Sequence, residues 1–107
     1  MPMPLTLETT RGGDGTVVLT AAGEIDLSNV DAFRQALAGA TAEAGGEGGS
    51  LTVDLSAVDY LDSAAINVLF AASDKIDLIA APLLMSILTV SGLAELVTIT
   101  VLPEETS

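Results

Sequence analysis

A serine directly after an aspartate, placed where a helix begins, is the pair in this chain whose types and spacing could do chemistry. Asp62 and Ser63 follow Leu51-Thr-Val-Asp-Leu-Ser56, in which apolar and polar residues alternate with the period of a half-buried strand. They precede Ile66, Leu69 and Phe70, whose spacing by three and four marks one face of a helix. Strand, five-residue connector and helix are therefore predicted in that order. A hydroxyl so placed lies beside a carboxylate, near free backbone N–H groups and the positive end of the helix dipole. That spot tolerates an added phosphate.

Three other uses of the pair compete with modification. As a nucleophile Ser63 needs a base, and the chain has no His, so the choice falls to Lys75 or a carboxylate; a G-x-S-x-G elbow is also missing. As a cap, either Asp62 or Ser63 can accept from the N–H two or three residues on, worth about 1 kcal/mol. As a carrier site, small size, acidity and Asp-Ser at a helix start resemble an acyl carrier protein. Those carriers are helical bundles, whereas Thr16 to Ala22 and Val97 to Val101 read as strands, and position 64 is Ala.

Composition limits the function further. The 107 residues fit one domain, and half of them are hydrophobic, so a core needs no staples. Without Cys there are no disulfides, thiolates or Cys-based metal sites, and without His the commonest metal ligand is missing. Three Lys+Arg against fifteen Asp+Glu give a net charge of −12, which argues against direct nucleic-acid binding and anionic membranes and would steer in a basic partner. Met1-Pro2-Met3-Pro4 has neither a basic n-region nor an apolar h-region, so a cytoplasmic location is expected. The uncharged run Leu78 to Ala94 is 17 residues, interrupted by Pro82 and Gly92, and no membrane insertion is expected.

The elements that must position the pair can be taken in order. Leu5 to Thr10 alternates as a first strand, Gly12-Gly13-Asp14-Gly15 gives a tight reversal, and Thr16 to Ala22 completes a hairpin. Gly23-Glu-Ile-Asp26 ends that strand, and Ser28 or Asn29 caps a helix carrying Val30, Phe33 and Leu37. Asp26 is either a solvated loop carboxylate or a partner contact near Ser63. Gly39 to Ser50 reads as a small-residue linker; it lacks G-K-[ST] and cradles no phosphate. Beyond the Asp62-Ser63 helix, which stops near Ala72, come a turn at Ser73-Asp74-Lys75 and a strand at Ile76, Leu78 and Ala80. A helix follows from Pro82 with Leu84, Ile87 and Leu88 buried, with Gly92 at its cap. A last strand at Val97, Ile99 and Val101 precedes the tail Pro103 to Ser107. The fold class is α/β, a mixed sheet of four to five strands with helices packed on it in the order ββαβαβαβ.

Four patches in this order carry a resemblance: Gly23-Glu-Ile-Asp26, Val53-Asp-Leu-Ser56, Tyr60-Leu-Asp-Ser63 and Ser91-Gly-Leu93. Together they resemble the STAS domain family of bacterial anti-sigma factor antagonists, from about Leu5 to Val101, so that one STAS-like domain is expected across residues 1–107. The resemblance implies a non-catalytic, cofactor-free switch. Its partners would be an anti-sigma factor that is also a serine kinase, and a phosphatase that resets it. Ser63 matches the family's phosphorylated serine, and Asp26, Ser28, Asp62 and Ala64 would form the docking surface. ATP and Mg²⁺ would belong to the kinase. The family usually continues Asp-Ser with Ser or Thr and then Gly, where this chain has Ala64 and Ala65. The Gly-to-Ala change adds a methyl expected to face the partner, and the stretch from Ser63 to Ser91 is shorter than usual by about two helical turns. STAS-type domains also serve as binding subunits of membrane transporters, including lipid-transport complexes; that alternative would leave Ser63 as a contact or a cap.

Overall fold

The register of two neighbouring parallel strands sets the whole arrangement. The computed structural model describes residues 5–12, 16–45 and 50–102. Its elements are β1 (Thr6–Arg11), β2 (Thr16–Ile25), α1 (Val30–Glu43), β3 (Ser50–Leu61), α2 (Ser63–Ala71), β4 (Ile76–Ala80), α3 (Pro82–Val90), a 3₁₀ turn at Leu93–Glu95 and β5 (Ile99–Val101). The sheet order is β1-β2-β3-β4-β5, with β1 antiparallel to β2 and every later pair parallel. The sequence predicts a mixed sheet of four to five strands in the order ββαβαβαβ; the sheet has five, in that order.

Each crossover moves one strand along in the same direction, and right-handed crossovers of that kind put every helix on the same face. The burial agrees. Val17, Leu51 and Ile76 lie in register, as do Leu19, Val53 and Leu78, and all six are buried. Their neighbours along the strands, such as Thr16, Thr52 and Asp77, face the side without helices and are half-buried or exposed. Against the apolar face pack Val30, Phe33, Leu37 and Ala40 of α1, Ala65, Ile66, Val68 and Leu69 of α2, and Leu84 and Leu88 of α3. Phe33 is wholly enclosed, and burying a side chain of its kind contributes roughly 1.5–3 kcal/mol. Phe70 and Ile87, read from sequence as core, are partly buried at its margin.

The pairing of β2 with β3 is interrupted twice. Thr20 faces Asp54 but Ala22 faces Ala57, and Gly23 faces Val58 but Glu24 faces Tyr60. Each step inserts one extra residue into β3, a bulge that is rare between parallel strands. At the first, the Asp54 carboxylate accepts from the Ser56 N–H at 2.9 Å and from its hydroxyl at 2.7 Å, drawing that N–H off the ladder. At the second, Gly23 on the facing strand sits at φ 107°, a conformation that suits glycine. The buried positions of β3 therefore run Leu51, Val53, Leu55, then Val58, then Leu61.

Three sequence expectations are corrected. The connector expected after Ser56 is strand, because the bulges break the period of two without ending the pairing. The linker expected from Gly39 is helix as far as Glu43, since Ala is the strongest helix former and the Arg11 guanidinium closes the helix end on Glu43 at 3.1 Å. Val97 precedes the last strand: it is buried, and its N–H donates to the Leu93 carbonyl at 3.2 Å in the 3₁₀ turn. Gly92 follows the α3 cap at φ 88°, as its position suggested. The reversal residues 13–15, the glycines at 46, 48 and 49, and the tail 103–107 lie outside the described residues.

Replacing Gly23 by Ala forces a side chain into the positive-φ region. We expect Gly23→Ala to lower stability by about 1–2 kcal/mol, read as a lower urea midpoint with an unchanged slope. A midpoint equal to the parent's would show that the bulge does not depend on glycine.

Candidate functional site

The two bulges bring the candidate site residues together. The offset between paired residues of β2 and β3 grows from 34 at Thr16–Ser50 to 36 at Ile25–Leu61, so both strands end at the same level. The Asp62 N–H then donates to the Ile25 carbonyl at 3.2 Å. As a result, the loop leading to α1 and the loop leading to α2 leave the sheet side by side.

Asp62 joins them. It is the N-cap of α2, with extended backbone at φ −98°, ψ −176°, and its Oδ1 accepts from the Ala65 N–H at 3.1 Å. Its Oδ2 accepts from the Leu27 N–H at 2.9 Å, across 35 residues of chain. One carboxylate thus holds a helix start with one oxygen and the neighbouring loop with the other. Of the two caps that the sequence left open, Asp62 is the one used.

Ser63 is the first residue of α2, exposed, and its hydroxyl makes no hydrogen bond among the described residues. The N–H groups of Ser63 and Ala64 have no intrahelical carbonyl to meet, as is general for a first turn. An anion on the Ser63 oxygen would therefore find donors and the positive end of the dipole without displacing a native contact.

The adjacent loop is wound by its own side chains. Asp26 Oδ1 accepts from the Ser28 N–H at 2.9 Å and from the Ser28 hydroxyl at 2.5 Å. Asn29 sits at the cap position of α1, but its side chain turns back: Oδ1 accepts from the Asp26 N–H and Nδ2 donates to the Glu24 carbonyl, each at 2.9 Å. Leu27, between these anchored residues, is 77% exposed. It is the residue that reading the sequence missed; an apolar side chain flanked by loop-winding Asp and Ser was the available signal.

Of the sequence-predicted residues, Asp62 and the Asp26–Ser28 loop are brought together through Leu27, with Ser63 next in the chain. Ala64 is half-buried and packs against the core, and Ala65 is fully buried. The methyl expected to meet a partner at position 65 thus points into the domain's own interior. Among the described residues no group of three or more His, Cys, Asp or Glu is arranged to hold a metal ion, and no helix is long and apolar enough to cross a membrane.

Comparison with known proteins adds the following. The family model described as "Mlab, STAS domain" matches residues 8–98. The anti-sigma-F factor antagonist RsfB of Mycobacterium tuberculosis is 38% identical over 63 residues, which are 59% of this chain and 49% of RsfB. The chain spans about half the length of the curated relatives it matches. The crystal structure of an anti-sigma factor antagonist from Mycobacterium paratuberculosis superposes with a TM-score of 0.79 at 26% identity, covering 91% of this chain and 86% of that one. The anti-sigma factor antagonist SpoIIAA in its unphosphorylated form shares the fold, with a TM-score of 0.66 at 15% identity over 94% and 89% of the two chains.

The double role of Asp62 has a measurable consequence. Asp62→Ala removes a cap and a loop tether, and we expect a loss of about 1–2 kcal/mol, with faster hydrogen exchange at the Leu27 and Ala65 amides together. Ser63→Ala should leave both amides and the thermal midpoint unchanged. Faster exchange at Ala65 alone in Asp62→Ala would mean that the loop is held by something else.

Proposed function

The chain belongs to the STAS domain family, and from that premise we propose that it is an anti-sigma factor antagonist whose binding is switched by phosphorylation of Ser63. The observation that carries the reading is the free, exposed hydroxyl of Ser63 at the start of α2, beside a loop that Asp62 clips to the same helix. The antagonists named among its sequence and structural relatives support the same reading.

The mechanism is an exchange of surfaces with the fold held constant. In the unmodified state Leu27 offers apolar area, Asp26 and Ser28 keep its loop in one conformation, and Ser63 leaves room for a partner to approach. Attachment of a phosphoryl group adds about −1.5 to −2 charge next to Asp62. In a protein of net charge −12, that group would be costly to desolvate inside a packed interface. It is readily held at a helix end, where the dipole favours an anion by roughly 0.3–1 kcal/mol. Binding is lost while the domain stays folded. The anti-sigma factor would be the serine kinase and would bring its own ATP and Mg²⁺; a phosphatase would restore the hydroxyl. The chain itself is a binding protein, not an enzyme, and works in the cytoplasm where sigma factors act.

Intact-mass spectrometry of the protein from its own cells should find a phosphate, and fragmentation should place it on Ser63. In calorimetry with the anti-sigma factor recovered alongside it, Ser63→Asp should bind at least about tenfold more weakly than the parent at an unchanged thermal midpoint. Equal affinities for the two proteins would remove the switch.

A further inference from the structure

Away from Ser63, at the other end of α2, the helices α1 and α2 leave a slot of about 340 Å³ between them. Its size is at the lower end of ligand pockets, which run from about 300 to 1,000 Å³. Ala38 of α1, Ala71 of α2 and Ala72 at the α2 cap all line the slot, and such short side chains leave open a gap that larger ones would fill. Thr41 also lines it, but its hydroxyl donates to the Leu37 carbonyl at 2.8 Å and is already used. The walls therefore offer apolar contact and no unused hydroxyl.

The charges at this slot run against the rest of the molecule. Two of the chain's three basic residues, Arg34 and Lys75, line it, in a protein with fifteen acids. Arg34 is paired with Asp31 on its own helix, and Arg11, which does not line the slot, is paired with Glu43. Lys75 has no ion-pair partner among the described residues, and its N–H donates to the Ala72 carbonyl at 2.9 Å, which holds its backbone at the end of α2. An apolar trough with one unpaired ammonium is complementary to a molecule with an apolar tail and a single anionic head.

We propose that the α1–α2 slot binds a medium-chain fatty acid, with its carboxylate at Lys75 and its alkyl chain along Ala72, Ala71, Val68, Leu37 and Ala38. Arg34 lines the slot while its guanidinium stays on Asp31. This site is independent of the switch, because no residue of the slot contributes to the Asp62 clip or to the Ser63 surface.

The test is a titration of the ¹⁵N-labelled chain with sodium decanoate below its micellar concentration. Saturable shifts confined to amides of residues 34–41 and 68–75, with a dissociation constant below about 1 mM, are expected. Lys75→Glu, on an exposed side chain, should weaken binding by about tenfold or more. Ala71→Leu, also at an exposed position, should fill the slot and abolish the shifts at an unchanged thermal midpoint. No saturation, shifts centred on Ser63, or equal binding of decanoate to the parent and to Lys75→Glu would each overturn the proposal.

Discussion

One carboxylate holds the functional end of this domain together. Asp62 spends Oδ1 on the first turn of its own helix and Oδ2 on the backbone of a loop that belongs to another crossover. Neither bond is strong alone, since a cap is worth about 1 kcal/mol and an exposed hydrogen bond less. Their value lies in sharing one side chain. The Asp26–Asn29 loop cannot leave without giving up a bond to the residue that starts α2, so Leu27 and Ser63 belong to a single surface.

That clip works only if the two loops leave the sheet at the same height, and the bulges in β3 arrange this. With the offset of the first paired residues continued, Ile25 would face Asp59, and Asp62 would lie about three residues, or roughly 10 Å, beyond the end of β2. Two inserted residues bring Leu61 level with Ile25 instead. The local causes differ: an Asp54 side chain competing for the Ser56 N–H in one case, a positive-φ glycine on the facing strand in the other. Both change the face that successive side chains meet, which is why Val58 is buried although it is out of phase with Leu55.

The same bulges mark the limit of what the sequence could disclose. Alternation identifies β3 as far as Ser56 but fails at Val58 and Asp59, so that it suggests a connector where the strand runs on to Leu61. The order of elements survived because each helix keeps its own three- and four-residue spacing, independent of where its neighbours end. Helix α1 was read short because Ala38-Gly-Ala-Thr-Ala42 has the small side chains of a linker, yet Ala40 is buried against the sheet and carries the helix on to Glu43. At the site, a cap at Asp62 or Ser63 followed from local sequence. The second bond of Asp62 did not, since nothing local points to a partner 35 residues away.

The division of labour between Asp62 and Ser63 would let the proposed covalent switch sit at a structural corner. Both oxygens of Asp62 accept N–H bonds that the fold needs, so taking the proton of the neighbouring hydroxyl would weaken the clip. In the proposed switch, the base for phosphoryl transfer would come with the kinase, since this chain has no His or Cys to supply it. The converse holds for the product. Because the Ser63 hydroxyl makes no hydrogen bond among the described residues, esterifying its oxygen would break none there, and the N–H groups of the first turn that Asp62 leaves free could face the new charge. A serine that also served as the cap would have coupled modification to unfolding. Placing the cap one residue earlier separates the two, so that in the proposed switch the signal would be carried by charge at the surface alone.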